Sequence, residues 1–78
     1  MTDSNEKIIA ELESEFVELY KILKFEGLTD CGSDAKHAIE EGLVSVNGEV
    51  ETRKRKKIRP GDQIDFIDHH IEVVGPSG

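Results

Sequence analysis

Along the first third of the chain the apolar positions are Ile9, Leu12, Phe16, Leu19 and Leu23, in alternating steps of three and four. That is the stripe of an amphipathic helix, and taken alone it predicts one helix from about residue 6 to 26. The same residues admit a second reading. Ile8, Ala10 and Leu12 alternate with Ile9, Glu11 and Glu13, which makes the first half a short strand leading into a helix from Glu15. The pattern leaves both open. Gly27 suits a left-handed helix C-cap, and Lys21 and Lys24 complement the dipole of the last turns.

After the turn-forming stretch Thr29-Asp30-Cys31-Gly32, Ser33 stands as an N-cap with Asp34 in the first turn, and Ala35, Ala38 and Ile39 supply the inward face of a second helix ending near Gly42. Leu43, Val44 and Val46 then read as a strand. Asn47-Gly48 is the two-residue signature of a type I′ hairpin, with Glu49 to Arg53 as the partner strand. Pro60-Gly61-Asp62 is a turn, Ile64, Phe66 and Ile67 form a further strand, Asp68-His69-His70 turns again, and Ile71, Val73 and Val74 close the sheet. The elements give an α+β fold, with residues 7–74 as one domain between a disordered tail at 1–6 and a C-terminal tail at 75–78.

Composition narrows the class. At 78 residues, with 36% hydrophobic and 35% charged positions, the chain has material for one thin globular core and no second one. A single cysteine, Cys31, forbids an internal disulfide, so a reducing cytoplasm is the expected compartment. The apolar runs reach three or four residues against the roughly 20 that cross a bilayer, and residues 1–6 have neither part of a signal peptide. No membrane association is expected.

The formal net charge of -7 argues against a nucleic-acid partner, but its distribution argues the other way. Six of the ten Lys and Arg residues lie within Arg53 to Arg59, whereas residues 1–52 hold four against thirteen acids. The run Arg53-Lys54-Arg55-Lys56-Lys57 cannot be packed inside, since each buried unpaired charge would cost several kcal/mol. It must be solvated or bound by a ligand.

One further observation joins these pieces. Leu23-Lys24, Gly27, Ser33 capping a helix that contains Ala35 and Ile39, Gly42-x-Val44-x-Val46-Asn47-Gly48 and Pro60-Gly61-Asp62-x-Ile64 occur in order and at matching spacing. This order resembles the ribosomal S-four-like (αL) RNA-binding domain family. Ala35-Lys36, Val50-Glu51-Thr52-Arg53-Lys54-Arg55 and the chain length are similar to its small stand-alone bacterial YbcJ-like members. The match covers roughly residues 8–74. It implies two short helices on a small antiparallel sheet, a strand at about Ile8 to Glu13, and an RNA surface built from the second helix with the strand and loop that follow. Many members place arginine after the capping serine, where this chain has Asp34. That removes a phosphate contact or moves it to Lys36.

The expected RNA contacts are therefore Arg53, Lys54, Arg55, Lys56, Lys57 and Arg59, each able to neutralise a phosphate, with a solvated solubility loop as the plainer reading. Lys36 and His37 begin the second helix, whose free N–H groups attract anions, and Lys24 is either an edge contact or a dipole-complementing lysine. Asn47 and Gly48 are read as turn residues. Of the four aromatics, Phe16, Phe25 and Phe66 sit in core-facing patterns and Tyr20 is the one expected to be exposed. So few stacking platforms favour folded RNA over single strands.

Neither catalysis nor a cofactor is expected. Cys31 has no assured partner, adjacent His69 and His70 diverge, and no phosphate loop or nucleophile elbow is present. The sequence thus points to a monomeric, non-catalytic binder of ribosomal or transfer RNA, with the ribosome or RNA-modifying enzymes as further partners. The alternative is a protein-interaction module whose basic loop docks an acidic partner and whose Glu-rich opening segment docks a basic one. Interleaving of Glu40, Glu41 and Glu51 with the basic face would weaken the first reading.

Overall fold

The computed structural model describes residues 6–76. The expected tails lie outside that range, except that Glu6 opens the first strand and Gly75-Pro76 follow the last. In chain order the elements are β1 (Glu6–Glu11), β2 (Val17–Glu18), α1 (Leu19–Phe25), α2 (Gly32–Glu40), β3 (Val44–Val46), β4 (Glu49–Val50), β5 (Lys57–Ile58), β6 (Gln63–Phe66) and β7 (His69–Val74). The ambiguous opening segment is a strand followed by a helix. Its long-range partner decides this: β1 pairs with β7 from Glu6↔His69 to Glu11↔Val74, and the Leu12 N–H extends the ladder to the Val74 carbonyl at 2.9 Å.

The main sheet has the order β1-β7-β6-β3-β4, and β2 with β5 forms a separate two-stranded antiparallel ribbon. The sheet expected to be antiparallel is mixed, because β1 runs parallel to β7. Such a pair needs a crossover, and everything between the two strands, both helices included, supplies it. Period-two alternation puts Val44, Val46, Ile64, Phe66, Ile71, Val73 and Ala10 into the core, where Leu19, Ile22, Leu23, Ala35, Ala38 and Ile39 of the helices cover them. The opposite sheet face is mostly polar, with Ile9, Val50 and Val74 exposed on it. Across it, register aligns Ser45, Asp65, His70 and Lys7, with a 2.7 Å contact between His70 Nδ1 and Asp65 Oδ1. No helix of the described residues is long and apolar enough to cross a membrane.

Three local expectations change. Ser33 lies inside the first turn of α2, whose N-cap is Cys31 without a side-chain cap bond, because the helix begins two residues earlier than expected, at Gly32. The strand expected to reach Arg53 stops at Val50, since residues 51–53 turn toward the helices. The last hairpin turns at Ile67-Asp68, so His69 and His70 belong to β7.

The two turn motifs prove to be one device. Asn47 and Gly48 take φ of 54° and 88°, as the hairpin requires. Arg59-Pro60-Gly61-Asp62 closes with the Asp62 N–H on the Arg59 carbonyl at 3.0 Å, Gly61 supplying φ of 100°. Asn47 then clips the turns together: its Nδ2 donates to Asp62 Oδ1 at 3.1 Å and its Oδ1 accepts the Gln63 N–H at 3.0 Å.

Candidate nucleic-acid interface

A helix leaves its first N–H groups without intrahelical partners, and α1 has no side-chain cap at Glu18 to meet them. The basic loop meets them instead. Leu19 N–H donates to the Lys56 carbonyl at 2.9 Å and Tyr20 N–H to the Lys54 carbonyl at 3.2 Å. Within the loop, Lys56 N–H closes a turn on the Arg53 carbonyl at 3.1 Å, and Ile58, fully buried, anchors its far end through pairing with Val17. The loop backbone is thus committed inward while its side chains line an open groove of about 900 Å³.

Arg53, Lys54, Arg55, Lys56, Lys57 and Arg59 all border this groove, so the structure brings the six candidates together. Two carboxylates border it too, Glu40 of α2 and Asp62. Lys54 Nζ donates to Glu40 Oε2 at 2.8 Å. Arg53 is forked onto Glu51, Nε to Oε2 at 2.9 Å and Nη2 to Oε1 at 3.2 Å, with its own N–H on Oε2 at 3.0 Å. The hydrogen bond from Lys54 holds the Glu40 carboxyl below the ordinary glutamate range, and that from Arg53 does the same for Glu51 despite some opposing desolvation. The Arg53 guanidinium is correspondingly raised by Glu51. Arg55, Lys56 and Arg59 have no carboxylate within ion-pairing distance among the described residues.

The remaining candidates gather at Tyr20. Lys36 Nζ lies 4.7 Å from the centre of its ring, and a Cβ built on Gly32 would meet that ring at 3.7 Å and Lys24 Cδ at 4.0 Å. Lys24, Lys36 and the Tyr20 side chain therefore meet at the start of α2, and the Tyr20 backbone joins them to the basic loop. Tyr20, expected to be exposed, is half-buried in this role. Phe25 and Phe16, expected to face the core, are 70% and 38% exposed, and Phe16 carries Lys57 Nζ at 4.9 Å. His37 pairs with Glu41 at 3.2 Å in an exposed i,i+4 contact and does not line the groove. Sequence reasoning missed Tyr20 as an organising residue, since its contacts come from α2 and the loop, at positions no local pattern links.

A family model described as the S4 domain matches residues 10–74. The chain belongs to the S4 domain family. Two relatives share 52% identity with it over 58 residues, 74% of this chain and 83% of theirs: the proteins called YbcJ in Escherichia coli (strain K12) and in Shigella flexneri. Among solved structures, the solution structure of YbcJ from E. coli matches with a TM-score of 0.70 at 41% identity, covering 95% of each chain. That structure is described as revealing an alfaL motif involved in RNA binding. The S4 match spans every element that shapes the groove, from α1 through the turn at Asp62.

Proposed function

We propose that this S4-domain protein is a non-catalytic binder of structured RNA, ribosomal or transfer, acting as a cytoplasmic monomer at the ribosome or beside RNA-modifying enzymes. The observation that carries the reading is the groove itself, which collects six cations on a backbone tied to α1. A loop backbone already held in place leaves only side-chain ordering as the cost of meeting phosphates, and a phosphate-dominated surface suits the shape of folded RNA. The description of the YbcJ structure as RNA-binding supports the same assignment. Glu40 and Glu51 do interleave with the basic face, yet Arg55, Lys56 and Arg59 form no ion pair with them, Lys56 being near enough to Glu51 only to help lower its carboxyl pKa.

The test is a fluorescence-anisotropy titration with ribosomal and transfer RNA across a salt series, comparing wild type with an Arg55→Ala, Lys56→Ala, Arg59→Ala variant. Each lost phosphate contact should flatten the salt slope by about 0.7 to 0.9, so the triple variant should lose about 2 to 3. Absence of wild-type binding at about 50 mM salt would remove RNA as the ligand.

A second reading has its own observation. An apolar groove of about 250 Å³ between β1 and α1 is lined by Leu12, Val17, Ile22 and the exposed Phe25, with Glu11, Glu13 and Glu26 on its rim. If RNA fails, a basic, apolar protein segment docking there becomes the favoured ligand.

A further inference from the structure

Six cations border the groove, but they are not equally available. The Arg53 guanidinium spends on Glu51 the two-pronged geometry it would offer a phosphate, through contacts of 2.9 and 3.2 Å, and the Glu51 side chain is only 13% exposed. Lys54 reaches across to α2 and holds Glu40 at 2.8 Å. A phosphate arriving at either cation must displace a carboxylate already seated there. The exchange swaps one ion pair for another, and the freed carboxylate gathers a counterion in place of the one the nucleic acid released. Its net contribution is small, whereas a phosphate meeting Arg55, Lys56 or Arg59 displaces no seated carboxylate, Lys56 feeling Glu51 only at longer range.

Resting on the RNA-binding reading, we propose that Glu40 and Glu51 are specificity-determining residues of this interface, internal stand-ins for phosphate that withhold Lys54 and Arg53 from an incoming polyanion. The groove then presents fewer working cations than its sequence implies. A sparse polyanion finds too few partners to stay. A folded backbone that crowds phosphates along the whole groove retains the free cations and recruits the withheld ones only where its charge density outcompetes a carboxylate. This accounts for a feature the net charge left unexplained: Glu40 on the edge of the basic groove and Glu51 beside it, each seated on one of its cations, when the rest of an acidic surface was available to them.

The experiment uses full-length protein and transfer RNA, titrated by anisotropy across a salt series. Glu40→Gln should tighten binding by about two- to fivefold, the range set by an exposed ion pair, and steepen the salt slope by about 0.7 to 0.9. Glu41→Gln removes the same charge one residue away, from a carboxylate paired to His37, and should produce the smaller change of a distant charge without that steepening. Lys54→Ala should weaken wild type little but erase the gain in the Glu40→Gln background. Glu51→Gln with Arg53→Ala should repeat the pattern. Equal gains from Glu40→Gln and Glu41→Gln, or a gain that survives Lys54→Ala, would overturn the inference while leaving RNA binding intact. A wild type that binds no RNA would instead remove the reading beneath it.

Discussion

Among the described residues two non-glycines hold positive φ, Asn47 at 54° and Ile67 at 56°, and they do so for opposite reasons. Asn47 tolerates the conformation and gains two hydrogen bonds that tie two turns together. Ile67 is β-branched, 69% exposed and at a hairpin tip, so it takes the steric cost of the left-handed region with little burial to offset it. Urea unfolding should separate the two. Asn47→Gly keeps the backbone free but loses the clip and should cost about 1 to 2 kcal/mol, while Ile67→Gly should stabilise by about 1 kcal/mol. The Asn-Gly and Pro-Gly-Asp motifs were both legible as turns in the sequence. Their connection was not, because the partners are 15 and 16 positions apart and turn propensity is a property of neighbours.

At the level of elements, what could be read followed from periodicity, and what could not depended on distant partners. The buried faces of α2, β3, β6 and the end of β7 were evident from spacing. The β2–β5 ribbon was not, since each strand has two residues and β5 lies at the end of a charge run. Nor did any local signal show that the run's carbonyls would cap α1. Ile58 is the pivot of this arrangement, the only apolar residue between Thr52 and Pro60 and fully buried. Ile58→Ala should cost about 2 to 5 kcal/mol in unfolding free energy. In hydrogen exchange the Leu19 and Tyr20 amides, which donate to the loop, should lose protection more than those in the middle of α2.

Across the whole molecule the charge is divided: an acidic surface surrounds one basic groove, and of the acids that border the groove Glu40 pairs with Lys54 while Asp62 accepts from Asn47 and from the Arg59 backbone N–H. This division, rather than the net charge of -7, decides what the protein can attract. The six groove residues were legible as a cluster and Glu40 and Glu51 as carboxylates able to interleave with them, but the pairing of Glu40 with Lys54 was not, because Glu40 reaches it from another element. The pairing also sets an acid limit. Glu40 and Glu51 titrate below their unfolded-state value near 4.5. A depressed carboxylate contributes stability that is present above that value and lost as pH falls through the folded one. The gap in melting temperature between wild type and Glu40→Gln, Glu51→Gln should therefore hold steady from neutral pH down to about pH 5.5 and close below about pH 4.5.

The parallel pairing of β1 with β7 also orders events in time. During synthesis β1 emerges first and has no strand to pair with until some sixty residues later, when β7 is made. The α1–α2 pair and the β3–β4 hairpin can form early from neighbouring residues, but the sheet is incomplete and Ala10 lacks its cover until β7 arrives. Every residue lining the groove precedes β7 in the chain, yet the turn at its edge is held by β7, with the Val73 N–H donating to the Asp62 carbonyl at 3.0 Å. The charged run is thus synthesised before the strand that β1 needs, and closure of both the sheet and the edge of the groove waits on β7.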